Sequence, residues 1–98
     1  MAKFIMHWEV DASKTPEDPK ERQQQWLAFD ELVVQDIKTG KVKDWGIYAG
    51  EINGYTIFEG TEIEVQTFMS RWVPFVKFSV KSVLTIEQTI EAVKAMNE

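Results

Sequence analysis

Cysteine is absent from this chain, which excludes disulfides, zinc-thiolate sites and thiol redox chemistry. Histidine is nearly absent: His7 stands alone. One imidazole and no thiolate leave the usual transition-metal ligand sets incomplete within one chain, so neither metal nor cofactor is expected. The glycines form neither G-x-G-x-x-G nor a P-loop, and nucleotide phosphate binding has no support. There is no G-x-S-x-G to suggest a serine nucleophile. Positive charge is scarce as well. Eleven Lys and Arg face sixteen Asp and Glu, a net charge of −5, which argues against general nucleic-acid binding. Lys38, Lys41 and Lys43 form the only tight basic cluster. No apolar run approaches the roughly 20 residues that cross a membrane. The N-terminal MAKFIMHWEVD is charged too early for a signal peptide. A reducing cytoplasm is the expected location, since it suits a chain without cysteine.

What the chain has is apolar and aromatic mass. Hydrophobic residues make up 44% of it, with four Trp, six Phe and two Tyr among 98 residues. That length makes one domain, residues 1–98. It is enough to bury roughly two-thirds of the unfolded surface around one core. The aromatic load can fill that core, line a pocket or form a subunit interface.

The stretch WGIYAGEINGYTIFEG, residues 45–60, reads as a β-hairpin. Asn53-Gly54 is a strong type I′ turn signal. A two-residue loop there pairs Ile52 with Tyr55, Gly50 with Ile57 and Tyr48 with Glu59. One face then carries Tyr48, Ile52, Tyr55 and Ile57; the other carries Ile47, Ala49 and Phe58. Both faces are largely apolar, so both are expected to be covered.

The rest of the chain falls around this hairpin. Lys3–Val10 alternates as a strand, with Phe4, Met6, Trp8 and Val10 on one face and Ile5, His7 and Glu9 on the other. Asp18-Pro19-Lys20-Glu21 is a helix start with a capping box. Trp26, Phe29, Val33 and Ile37 then recur at helical spacing, with Leu32 and Val34 widening the stripe, and Thr39-Gly40 closes the helix. Thr61 to Glu64 is a second capping box. It opens an amphipathic helix over Val65, Phe68, Met69 and Trp72, and Pro74 marks its end. Strands are expected at Gly46–Ile52, Tyr55–Glu59 and Phe75–Val83. Thr85 to Gln88 caps a last helix with Ile86, Ile90, Val93 and Met96 or Asn97 on one side.

The order strand, helix, strand, strand, helix, strand is the split βαβ arrangement: an α+β, ferredoxin-like fold with an antiparallel four-stranded sheet plus a C-terminal helix. Right-handed crossovers put the two main helices on one sheet face. The other face is left bare unless the last helix covers it. A bare apolar face predicts a homodimer with sheets packed face to face.

KFIMHWEV, the GYTIFEG strand and, above all, RWVPFVKFSVKSVL followed by an acidic helix resemble the small dimeric α/β-barrel proteins. Nearly the whole chain takes part in the likeness. It is nearest to a group of short bacterial and archaeal proteins catalogued as a domain of unknown function. That group is similar in fold to muconolactone isomerases and cofactor-independent antibiotic-biosynthesis monooxygenases. The resemblance implies fold and dimerisation, and supplies no catalytic residue.

The residues themselves offer several candidates. His7 is the one side chain whose ordinary pKa lies near neutrality. Glu9, two residues on along the same strand face, would orient it as an acid/base pair; the alternative is a strand histidine bonded at an interface. Tyr48 and Tyr55 can present hydroxyls to a ligand or pack amphipathically at a sheet edge. Trp8, Trp26, Phe68 and Trp72 can line an aromatic cavity between helices and sheet, or fill plain core. Arg71 can clamp a carboxylate ligand, or complement the end of its helix. Two function classes follow. One is a dimer binding a small apolar or aromatic ligand without metal, with no nucleic-acid or membrane partner. The other is a cofactor-independent small-molecule enzyme, of isomerase or monooxygenase type by analogy of fold, using His7 as acid/base.

Overall fold

The structure is a computed structural model and describes residues 2–96. Its elements run β1 (Ala2–Val10), α1 (Pro19–Lys38), β2 (Val42–Ile47), β3 (Asn53–Gly60), α2 (Glu62–Ser70), β4 (Val76–Val83) and α3 (Ile86–Ala95), with a single 3-10 turn at Ala12–Lys14. The strands form one antiparallel sheet in the order β2-β3-β1-β4. The chain is thus α+β, with a four-stranded antiparallel sheet and three helices, and fits a ferredoxin-like fold.

The helix signals hold. Asp18 accepts a hydrogen bond from the Glu21 N–H at 3.0 Å, with Pro19 in the first turn of α1. That is one half of the expected reciprocal pair. Gly40 takes φ +83° just beyond the Thr39 C-cap, where a left-handed residue is wanted. Thr61 with Glu64 and Thr85 with Gln88 are complete capping boxes, each cap worth about 1 kcal/mol. Helix α2 is shorter than expected, ending in a turn at Arg71 and Trp72 before the cis Val73-Pro74 bond. The expected place of Asn97 on the last helix lies outside the described residues.

The hairpin is where expectation fails. Strand β2 begins at Val42 and ends at Ile47, and Asn53 and Gly54 belong to β3. Gly46 pairs with Tyr55 and Ile47 with Gly54, with a bulge between Val42 and Asp44. The reversal is made by Tyr48 to Glu51, where the Glu51 N–H donates to the Tyr48 carbonyl at 3.0 Å and Gly50 holds φ +82°. A turn of this kind needs positive φ at its third residue, which glycine supplies. Ile52 therefore does not face Tyr55, nor Tyr48 Glu59.

Gly54 has another use. A Cβ there would lie 2.0 Å from the Gly46 carbonyl oxygen and 2.7 Å from the Trp8 ring. The missing side chain lets the β2 backbone and the indole close on the same point.

Alternation along β1 and β3 sorts the sheet into two faces. Phe4, Met6, Trp8, Thr56 and Phe58 are buried beneath α1 and α2, with Val65, Phe68, Trp72 and Val76 completing the core. Phe58 and Met6 are wholly enclosed; burying such side chains contributes about 1.5–3 kcal/mol each. The opposite face carries cross-strand rows: Ile57, Ile5 and Lys81; Tyr55, His7 and Ser79; Asn53, Glu9 and Lys77. No helix among the described residues covers it. Helix α3 buries no residue and exposes Ile86, Ile90 and Val93. The described chain measures 60 × 24 × 23 Å with a radius of gyration of 16.3 Å. A compact domain of this length has about 13 Å; the excess is α3 leading away from the sheet.

Candidate functional site

Helix α1 stands off the sheet. None of its residues is fully buried, and Val34 and Ile37 of the expected stripe are exposed, as is Leu32. The gap beneath it is a cavity of about 450 Å³, within the size range of small-molecule sites. The Trp8 and Trp45 rings stack at 5.3 Å and 15° to form its floor. Trp26, Phe29 and Val33 descend from α1; Phe68 and Trp72 close the α2 side. Phe29 meets Trp72 edge-on at 5.4 Å. The exposed rim is Val34, Ile37, Ile47 and Ile52. Trp8, Trp26, Phe68 and Trp72, the aromatic set visible in the sequence, thus surround one space.

The indole N–H groups of Trp8, Trp26 and Trp72 are buried and have no hydrogen-bond acceptor among the described residues. Such an orphan costs about 1–3 kcal/mol. Because these nitrogens are enclosed, the cavity presents mostly ring faces and aliphatic carbon, with Asp30, Glu51 and Thr56 as the polar part of its lining.

The remaining sequence candidates lie elsewhere. His7 and Glu9 are exposed on the open face, across the sheet from the cavity. His7 sits between Tyr55 and Ser79 in register. Tyr55 donates its hydroxyl to Asp44 at 2.8 Å; that bond holds the phenol protonated and raises its pKa above the ordinary value. The Tyr48 ring lies 6.5 Å from that of Tyr55. Arg71 does not reach the cavity. Its guanidinium pairs with Asp36 of α1 at 2.6 Å and covers the Phe68 ring at 5.2 Å, tying the two helices together. Two members of the basic cluster are likewise engaged, Lys41 with Glu64 and Lys43 with Glu59. At the β1 exit, Asp11 accepts from the side chain and backbone of Ser13, which lowers its pKa. No group of three or more His, Asp or Glu able to hold a metal ion occurs among the described residues. No helix among them is long and apolar enough to cross a membrane.

Other cavity residues escaped the sequence reading. Trp45 was given no face, Ile47 stood on the Phe58 face without being read as part of a site, and Ile52 was put on the opposite face by a hairpin register that the structure does not have. Glu51 lies in the actual turn. Asp30 carried a signal: it follows Trp26 by four residues, so it interrupts the inward stripe of α1 with a charge.

The fold is thus an α+β sandwich with one open sheet face and an aromatic cavity under its long helix. Residues 2–97 match the family described as a domain of unknown function, DUF3303. The chain belongs to that family. No curated protein and no solved structure matches it.

Proposed function

We propose that this protein is a homodimeric, metal-free binder of a small apolar or aromatic ligand, held in the cavity between α1 and the sheet. One observation carries the reading: the cavity of about 450 Å³ has aromatic and aliphatic walls, while His7 lies on the other side of the sheet. A catalytic alternative with His7 as acid/base and Glu9 as its orienting partner would require a substrate on the open face. Nothing there encloses one within a single chain.

The ligand test is a titration with phenylbutanol, followed through tryptophan emission. Four indoles surround or floor the cavity, so a saturable change is expected. Val33→Trp, which fills the space from α1, removes it. A parent protein whose emission is unaffected, or a Val33→Trp variant that responds as the parent does, defeats the proposal.

The dimer reading rests on Ile5, Ile57 and Tyr55, half-buried on the sheet face that α1 and α2 leave open, an arrangement suited to a dimeric α/β barrel. Stable interfaces bury on the order of 1,200–2,000 Å² in total. Light scattering at micromolar concentration is expected to give twice the 11.4 kDa chain mass, and Ile57→Asp to halve it. A parent that runs at the single-chain mass refutes this part.

A further inference from the structure

The charges at the cavity are all of one sign. Among its lining residues, only Asp30 and Glu51 are ionisable at neutral pH, and no Lys, Arg or His joins them. They come from opposite walls, Asp30 from α1 and Glu51 from the β2–β3 turn. Neither carboxylate enters an ion pair or a side-chain hydrogen bond among the described residues. The acidic side chains paired elsewhere show the contrast: Asp36 has Arg71, Glu59 has Lys43 and Glu64 has Lys41.

Aromatic walls add to this bias. The faces of Trp and Phe are electron-rich and attract cations, Trp most strongly. Here the Trp8 and Trp45 stack and the Trp26 ring line the same cavity as two carboxylates that have no partner among the described residues. An anionic ligand would meet like charge at the mouth and negative ring faces inside. A neutral one would gain no charge–charge attraction from them. We propose that the cavity selects a cationic amphiphile: an apolar or aromatic body bearing a protonated amine or quaternary ammonium group, with the body against the indoles and the cation near Asp30 and Glu51. This assignment rests on the cavity being a ligand site and adds the charge of what it takes.

Three probes with the same body and different heads test it: phenylbutyltrimethylammonium, phenylbutanol and phenylbutyrate. Each is titrated into the full chain at low ionic strength. The cation is expected to bind about two- to tenfold more tightly than the alcohol, and the carboxylate most weakly. In the Asp30→Asn/Glu51→Gln double variant, the preference of cation over alcohol should shrink towards its ring-face part while alcohol affinity stays put. Both positions are exposed, and an unchanged melting temperature checks that the variant folds. If alcohol and cation bind alike, or if the double variant keeps the full cation preference, the charge assignment is wrong and the cavity reading survives. If none of the three binds, both fall together.

Discussion

Replacing Gly54 with alanine separates two accounts of the hairpin. In the turn account, Asn53 and Gly54 both hold positive φ and alanine costs a backbone penalty at each. In the structure, Gly54 is a strand residue, and an added Cβ meets the Gly46 carbonyl oxygen at 2.0 Å and the Trp8 ring at 2.7 Å. The first contact is with backbone, so β2 must move away from β3. Overpacking of this sort costs typically about 1–3 kcal/mol, and a backbone obstacle puts Gly54→Ala at the upper end. For a chain of this size that lowers the melting temperature by about 12–24 °C. Gly50→Ala meets no neighbour within 4 Å but must adopt φ +82°, at about 1–2 kcal/mol. Asn53→Ala should stay within about 0.5 kcal/mol. Thermal and urea melts followed by circular dichroism give the order Gly54, Gly50, Asn53. A Gly54→Ala protein within about 0.5 kcal/mol of the parent, or one more stable than Gly50→Ala, refutes the reasoning.

Two further outcomes follow from the structure. Phe58→Ala empties the centre of the core, where Phe58 packs on Phe68 at 5.2 Å between ring centroids. It should cost about 3–5 kcal/mol, a large part of a typical total stability of about 5–15 kcal/mol, and denaturant melts read it. Tyr55 should titrate above the ordinary tyrosine value in phenolate absorbance, and Asp44→Asn should bring it down. The sign is that of a raised folded pKa: the stabilisation is complete below the ordinary tyrosine range and fades as pH climbs through Tyr55's own value.

Much of the architecture was legible because it is local. Capping boxes at Thr61 and Thr85, the Asp18-Pro19 start and the Gly40 stop each act within one turn of helix, and the sequence shows them directly. Period-two alternation likewise put Phe4, Met6 and Trp8 on one face and His7 and Glu9 on the other, although not which of the faces met the helices. The hairpin register was not legible, because two glycine signals compete there. Asn53-Gly54 has the stronger turn propensity, yet the Trp8 indole claims Gly54 from across the sheet, and Gly50 makes the turn instead. That contact is tertiary, and it overrides propensity. The same displacement put Ile52 on the face away from Phe58 in the sequence reading, although it lines the cavity. Trp8, Trp26, Phe68 and Trp72 were found because helical and strand spacing point all four inward; the stand-off of α1 that turns core into cavity depends on how helix and sheet dock.

Helix α3 gives the molecule a built-in gauge of its own surroundings. It has ten residues and buries none of them, and a helix that short is marginal in water by itself. Its backbone amides should therefore trade deuterium with solvent almost as freely as those of an unfolded chain, while those of β1 and β3 wait for global opening. The two segments belong to different cooperative units. Any molecule that seats on Ile86, Ile90 and Val93, a second copy included, must slow exchange in α3 before it alters the sheet. Measured across a dilution series, exchange in this one segment would follow association residue by residue, without a label and without a change in the fold.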